Sequence, residues 1–264
     1  MKLSSPIHVL KNQAKLLKKE KAITMVEALN SIAEREGFSS WSLLKSKQPN
    51  ELPNSYDEIL NYFNEGDLVL IGARPGTGKT SFSIGLLVRA IQKKEVKNYY
   101  FTLSEVHKDL AGRIASYDES IGAHNPFLGY SYSNDIQASY IIKNTQQEIS
   151  KGSLIVIDYL QLLDERRINE TLQDQVEALK AYAKKTGCII IFISQLNREI
   201  ENRIDRKPTL DDIRLPNPLD LSLMNKIVLL FRESVDADKA DILFFKPKIH
   251  TLSVRWDSKA VRFS

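Results

Sequence analysis

The segment Ala-Arg-Pro-Gly-Thr-Gly-Lys-Thr, residues 73–80, has the residue types and spacing that suit phosphate binding. Gly76 and Gly78 let the backbone curl so that successive N–H groups point at phosphate oxygens. Lys79 supplies a positive charge for the β and γ phosphates, and the Thr80 hydroxyl can ligate Mg²⁺. The usual pattern begins with glycine, whereas this one begins with alanine. The predicted nucleotide-binding residues are Ala73, Arg74, Pro75, Gly76, Thr77, Gly78, Lys79, Thr80 and Ser81.

A second candidate is the acid that ends the run Leu-Ile-Val-Ile-Asp, residues 154–158. Four apolar residues favour a buried strand, which would bring Asp158 to the carboxyl edge of the sheet, where Thr80 also arrives. A carboxylate there can hold Mg²⁺ through its water shell. An aspartate at the end of a strand is more often a turn residue, but the nearby phosphate loop favours the metal role. The predicted ligands are therefore ATP and Mg²⁺, with Thr80 and Asp158 as the metal residues.

Two further polar residues end predicted strands. Glu105 follows the strand at residues 98–104, where it could accept a proton from the water that attacks the γ-phosphate. It could equally be an acid favoured by the dipole of the next helix. Gln195 ends the run at residues 187–194 and could sense the γ-phosphate through its amide. The polar loop that follows Gln195 is long enough to indicate a functional segment, with a solvated surface loop as the alternative.

The elements that must position these residues alternate along the chain after residue 58. Continuous apolar strands separated by helices predict a mostly parallel sheet covered on both faces. Strands are predicted at 66–73, 98–104, 153–158 and 187–194, and helices at 79–92, at 107–119, through 141–142 and through 176–183. Residues 120–133 have an irregular pattern. The last three β-like runs have no helices between them, so that edge of the sheet is predicted to be antiparallel.

Taken together, these motifs resemble the C-terminal RecA-like ATPase domain of the DnaB-type replicative helicases, over roughly residues 56–263. The Ala-Arg-Pro opening of the phosphate loop is that family's version. FTLSE at 101–105 resembles the strand that ends in the family's catalytic glutamate, which favours Glu105 as the base. IDYLQLL and SQLNRE match its Mg²⁺-binding and sensor segments, and DDIR, IVLLFRES and TLSVRWDSKAVRF follow in the same order. The resemblance implies a RecA-like P-loop NTPase fold with a mostly parallel central sheet.

The resemblance also implies an ATP-hydrolysing helicase motor that acts on single-stranded DNA as a homo-oligomeric ring such as a hexamer. Tracking along a strand requires contacts to its backbone. Basic residues in two loops, after Asp158 and after Gln195, are the candidates for these contacts. They are Arg166, Arg167, Arg198, Arg203 and Arg206.

Three departures from the family pattern limit what the resemblance implies. The family's N-terminal collar domain and linker helix have no counterpart in these residues. Lys246-Pro247-Lys248 stands where the family has a Lys-x-Arg pair that reaches the neighbouring subunit. Lys248 is a point charge and therefore a poorer catalytic finger than arginine. The acidic cluster expected before residues 227–231 is reduced to Asp220. These changes leave Lys79, Glu105, Gln195 and Lys248 as the predicted catalytic residues.

The same departures keep two alternatives open. One is a RecA-fold ATP-dependent switch that binds a partner and does not translocate. The other is an adaptor or loader that binds a helicase through its ATPase face without unwinding DNA.

Residues 1–48 are predicted to form a basic three-helix module, followed by the ATPase domain at 49–264. The boundary lies in a segment, residues 45–58, with two prolines and two asparagines. Ile7, Leu10, Ala14 and Leu17 form one apolar stripe. Thr24 and Glu27 form a capping box that opens a second helix, which ends at Gly37, and Ser39 or Ser40 can cap a third helix that carries Trp41.

The module carries most of the chain's positive charge. Residues 1–50 hold nine Lys or Arg and four Glu, so they carry +5 of a net +4, and the remaining 214 residues carry −1. The module has the pattern of a helix–turn–helix that could contact DNA phosphates. A small bundle that docks a replication protein is the alternative, because a run of lysines can simply be a solvated face.

Composition excludes several other classes of protein. Hydrophobic residues make up 42% and charged residues 27%, as in ordinary globular proteins. No run of about 18 apolar residues is long enough to span a membrane, and the lysine-rich N-terminus does not fit a secretory signal. Cys188 is the single cysteine and cannot form an internal disulfide, so a reducing compartment, the cytoplasm, is expected.

Overall fold

The computed structural model describes residues 3–5, 7–47, 52–103, 107–122, 125–164, 170–215 and 217–264. The chain divides into two compact units, Met1–Leu52 and Pro53–Ser264, which we call the helical unit and the sheet unit. No helix of the described residues has the length and apolar character needed to cross a lipid bilayer.

The helical unit consists of α1 (Ile7–Lys21), α2 (Met25–Arg35) and α3 (Trp41–Lys47). Leu10, Ala14 and Leu17 of the predicted stripe are buried, and they pack with Ala28 and Ile32 of α2. The side chain of Ile7, the fourth residue of the stripe, lies outside the described part of the chain. The apolar stripe thus fixes which face of α1 meets α2.

The predicted caps of the helical unit are confirmed. The Thr24 hydroxyl accepts a hydrogen bond from the Glu27 N–H at 3.2 Å, and the Glu27 carboxylate accepts one from the Thr24 N–H at 2.8 Å. Gly37 follows α2 in the left-handed region with φ +83°. Of the two serines proposed to cap α3, Ser40 accepts from the Leu43 N–H at 3.1 Å.

The sheet unit contains a nine-stranded sheet among its described residues, in the order β3-β2-β4-β5-β1-β6-β7-β8-β9. The strands are β1 (Leu68–Ala73), β2 (Asn98–Thr102), β3 (Leu128–Ser131), β4 (Leu154–Asp158), β5 (Ile189–Gln195), β6 (Lys226–Phe231), β7 (Lys239–Lys246), β8 (His250–Asp257) and β9 (Arg262–Phe263). The six strands from β3 to β6 pair in parallel, and the pairs from β6 to β9 are antiparallel. The predicted parallel sheet with an antiparallel edge is confirmed.

Helices cover both faces of the parallel part. They are α4 (Ile59–Tyr62), α5 (Lys79–Lys93), α6 (His107–Tyr117), α7 (Ala138–Thr145) and α8 (Leu172–Thr186). Alternate strand residues such as Leu70, Ile157 and Phe192 pack with apolar residues of α7 and α8 in one buried cluster. The other face meets α5, which contacts β1, β2, β4 and β5. Strands buried on both faces explain their unbroken apolar runs.

Two predictions about local structure were wrong. The stretch 120–133 was predicted to be irregular, but it contains β3, which pairs with β2 at the edge of the sheet. The loop after Gln195 was predicted to be unstructured, but it contains the short 3₁₀ helices Arg198–Asn202 and Leu210–Asp212. An isolated bridge between Leu196 and Ile213 also folds this loop back on itself.

Candidate active site

The phosphate loop joins the end of β1 to the start of α5. Gly76 and Gly78 have φ of +75° and +101°, in the left-handed region that glycine adopts without strain. Gly78 lies at the N-terminal cap of α5, so the free N–H groups and the positive dipole end of this helix face the loop. The Lys79 ammonium spans the loop and donates to the Arg74 carbonyl at 3.3 Å. Burial lowers the pKa of Lys79, and the Asp158 charge opposes that shift.

Thr80 and Asp158 meet at the carboxyl edge of the sheet. The Thr80 Oγ1 donates to Asp158 Oδ2 at 2.9 Å, and Asp158 is buried with 3% of its surface exposed. Burial raises the pKa of Asp158, while hydrogen bonds from Tyr100 and Thr80 and the Lys79 charge lower it. The pairing brings one hydroxyl oxygen and one carboxylate together.

These donors fit Mg²⁺ rather than a metal held entirely by protein. Within the described ranges, no group of three or more His, Cys, Asp or Glu side chains could hold an ion by itself. Mg²⁺ is usually held by one or two carboxylates together with substrate phosphates and water. Thr80 and Asp158 beside a phosphate loop are such a set.

Gln195 lies at the same edge of the sheet, next to the phosphate loop. It is the last residue of β5 and stands in register with Ala73, the first residue of the loop. Its main-chain carbonyl accepts from the Arg214 N–H at 3.0 Å, which ties β5 to the end of the following loop. A change at the γ-phosphate position could therefore reach the loop after Gln195 through this strand end.

The Arg74 side chain supports the loop from behind and is not a phosphate contact. Its guanidinium donates to the Glu201 carboxylate at 2.8 Å and to the Arg232 carbonyl at 2.6 Å, and it is buried. Of the nine residues predicted to bind nucleotide, Arg74 can therefore contribute only its backbone. The reason is that a fully engaged guanidinium has no free edge for a phosphate.

Comparison with known proteins is decisive for the family. The model of the DnaB-like helicase C-terminal domain matches residues 53–139 and 130–263. The chain belongs to this family. The replicative DNA helicase DnaB of Geobacillus stearothermophilus is 30% identical over 191 residues, which are 60% of this chain and 41% of that protein. The DnaB of Mycoplasma genitalium is 28% identical over 218 residues, 70% of this chain and 46% of that protein. The chain spans about half the length of the curated relatives it matches.

Solved structures agree with the family fold. A DnaB-like replicative helicase, studied with its interactions with primase, superposes with a TM-score of 0.69 at 20% identity, over 96% of this chain and 74% of that one. A second solved structure, of an isolated ATPase domain, superposes with a TM-score of 0.65 at 22% identity, over 91% of this chain and 98% of that domain. The sheet unit therefore has the RecA-like fold of the DnaB ATPase domain.

The arginines predicted to bind DNA fall into three groups in this DnaB-family chain. Arg198 and Arg206 are exposed in the loop after Gln195. Arg203 donates to the Asp212 carboxylate and to the Lys207 carbonyl, at 2.7 and 2.6 Å. This ion pair holds the loop together, so we correct the role of Arg203 from DNA contact to loop structure. Arg166 and Arg167 lie outside the described residues, as does the proposed base Glu105.

The two lysines of the Lys-Pro-Lys segment have different environments. Lys246 donates to the main-chain carbonyls of Ser222 and Met224 at 3.0 and 2.5 Å, so it is bound within its own chain. Lys248 is exposed in the turn between β7 and β8. Of the pair, Lys248 is therefore the one available to a neighbouring subunit.

Sequence reasoning missed the residues that hold the phosphate loop from the C-terminal strands. The Arg232 guanidinium lies 4.5 Å from the Trp256 ring and donates to the Gly76 carbonyl at 3.3 Å. Trp256 and Phe263, with ring centres 4.7 Å apart, lie against Gly78. The only sequence signal was the aromatic residues of the closing strands, which by themselves indicate nothing more than a core.

Sequence reasoning also missed Tyr100. Its hydroxyl donates to Asp158 Oδ2 at 2.7 Å. In the sequence, Tyr100 is one of several apolar and aromatic residues of a strand, so nothing marked it as a neighbour of the metal site.

Proposed function

We propose that this chain is the ATP-hydrolysing motor of a DnaB-like replicative DNA helicase that acts on single-stranded DNA. The observation that carries the proposal is the 2.9 Å hydrogen bond between Thr80 and Asp158. It joins the phosphate loop to the end of β4 and forms a metal-binding pair in a member of the DnaB family.

Each residue has a defined task in this proposal. The backbone of residues 73–81 and the Lys79 charge bind the phosphates, and Thr80 and Asp158 hold Mg²⁺. When bound, Mg²⁺ neutralises charge that develops on the phosphate oxygens. Glu105 takes the proton of the attacking water. Gln195 senses the γ-phosphate, and its contact with Arg214 passes the change to the loop after β5.

The DNA and oligomer parts of the proposal rest on the same family. Arg198 and Arg206 are the exposed candidates for the DNA backbone, together with Arg166 and Arg167. A homo-oligomeric ring such as a hexamer would place Lys248 at a neighbouring subunit's phosphates.

The helical unit supplies a separate basic surface. Lys11, Lys15 and Lys18 are exposed on α1. We propose that residues 1–48 contact DNA or a replication protein, such as the primase with which the solved DnaB-like neighbour interacts. A cytoplasmic location belongs to the same proposal, since replication takes place on the chromosome.

A second candidate function is an ATP-dependent switch or helicase adaptor that does not unwind DNA. The observation that favours it is the binding of Lys246 within its own chain, which leaves only the point charge of Lys248, of these two lysines, as a finger.

A strand-displacement assay on forked DNA separates the two candidates. The motor should displace the strand with ATP and not with ADP. ATP binding without any displacement, at protein concentrations that give oligomers, would favour the switch or adaptor.

A further inference from the structure

Tyr100 lies in the middle of β2 and is fully buried, yet its polar hydroxyl is directed at the metal-binding edge of the sheet. It donates to Asp158 Oδ2 at 2.7 Å, which is the same oxygen that accepts from Thr80. The two donors come from different elements, β2 and α5. A carboxylate held by two converging donors cannot rotate freely about its terminal bond.

Ser83, one turn into α5, in turn holds the Tyr100 hydroxyl. The Ser83 and Tyr100 oxygens are 3.1 Å apart, and Ser83 Oγ also donates to the Thr80 carbonyl at 2.9 Å. A phenol has one proton, and the carboxylate takes it. Ser83 must therefore be the donor toward Tyr100 and must share its proton with the Thr80 carbonyl. Thr80, Ser83, Tyr100 and Asp158 form a closed ring of polar contacts.

The ring is buried on the face of the sheet that α5 covers. Ser83 and Tyr100 are fully buried, and Asp158 is nearly so. In such surroundings a hydrogen bond to a charged oxygen is stronger than in water. Its loss also leaves the acceptor without water to replace the donor.

We propose that Tyr100 is a positioning residue for the metal: it fixes one oxygen of the Asp158 carboxylate so that the other is presented to the water shell of Mg²⁺. Thr80 can keep its bond to Asp158 and still offer a lone pair to the ion, because a hydroxyl donates one proton and has two lone pairs. Ser83 makes the arrangement depend on the first turn of α5. This inference rests on the proposed nucleotide-binding function and adds a residue to its metal site.

The test is Tyr100→Phe, which removes the hydroxyl and keeps the ring. Loss of an outer hydrogen bond to a metal ligand typically weakens metal binding by about 10- to 100-fold. Because Asp158 acts through water, we expect the lower end, so the Mg²⁺ concentration for half-maximal binding of a fluorescent ATP analogue should rise about tenfold. Binding of the analogue in EDTA should stay at the wild-type level, since the phosphate loop keeps all its contacts.

The matched control is Tyr99→Phe on the full chain. It removes a phenolic hydroxyl from the neighbouring position of the same strand, where the hydroxyl bonds Glu148 away from the site. Tyr99 belongs to the cluster on the opposite face of the sheet. Its Mg²⁺ dependence should equal that of the wild type.

The outcomes separate the inference from the proposed function. A wild-type chain that binds no ATP analogue at any Mg²⁺ concentration would overturn the proposed function itself. If the wild type binds and Tyr100→Phe has the same Mg²⁺ dependence, the inference fails. It also fails if Tyr100→Phe loses affinity equally with Mg²⁺ and with EDTA, or if Tyr99→Phe shifts as far, because either result indicates a general structural effect.

Discussion

Gly78→Ala should destabilise the sheet unit strongly. Gly78 has φ +101°, and a non-glycine residue in the left-handed region costs roughly 1–2 kcal/mol. A Cβ there would lie 2.9 Å from Trp256 Cζ3 and 3.1 Å from Phe263 Cε2. Both rings are buried and pack on each other, so neither can move without disturbing the other. Overpacking of this kind costs typically about 1–3 kcal/mol. The two effects together predict a loss of about 2–5 kcal/mol in the free energy of unfolding.

Gly112→Ala is the matched control for this prediction. It adds the same methyl group in α6, where no atom of the described residues lies within 4 Å of the new Cβ and φ is not in the left-handed region. Alanine in a helix interior is favoured over glycine by roughly 0.5–1 kcal/mol, so this variant should be slightly more stable than the wild type.

Thermal melting by circular dichroism without nucleotide measures both variants. For a domain of this size, 1 kcal/mol shifts Tm by about 2–4 °C. Tm of Gly78→Ala should therefore fall by about 5–20 °C, and Tm of Gly112→Ala should rise by about 1–4 °C. A Gly78→Ala protein that melts within about 2 °C of the wild type would refute the packing described for the closing strands.

Three further predictions concern catalysis and DNA. Glu105→Gln should bind ATP but not turn it over, because an amide cannot take a proton from water, and hydrolysis at the wild-type rate in a steady-state assay would contradict this. Lys248→Ala should lower kcat, by on the order of 10³ if Lys248 acts as well as an arginine finger. The wild-type rate per chain should also rise with protein concentration, whereas a constant rate in a monomeric protein would exclude action between subunits. Joint replacement of Lys11, Lys15 and Lys18 by Gln should flatten the salt dependence of DNA binding by roughly 0.7–0.9 per lost phosphate contact in a log–log plot. An unchanged slope in a titration at two salt concentrations would assign the helical unit to protein docking.

The parts of the fold that follow from local chemistry were predictable. The phosphate loop, the capping box at Thr24 and the apolar strands that end at Asp158 and Gln195 each depend on residues close together in the sequence. In contrast, β3 has only four residues, and three of them are half-buried, so it has neither an apolar run nor a clear alternation. Its partner β2 decides its structure.

The supports of the site were not predictable because they are long-range contacts. Arg203 is one of several basic residues in a polar loop, and only its pairing with Asp212 reveals a structural role. Trp256 packs against Gly78 across most of the sheet unit's sequence. Tyr100 reaches Asp158 because β2 and β4 are neighbours in the sheet, which sequence order alone does not indicate.

The central claim is tested most directly by the steady-state rate of ATP hydrolysis with and without single-stranded DNA. The account predicts hydrolysis that requires Mg²⁺ and is stimulated many-fold by single-stranded DNA, and that is absent in Lys79→Ala, since this variant loses the charge placed for the β and γ phosphates. A slow rate that DNA does not change would contradict the motor and favour the switch. Hydrolysis by Lys79→Ala at the wild-type rate would contradict the assignment of the site itself.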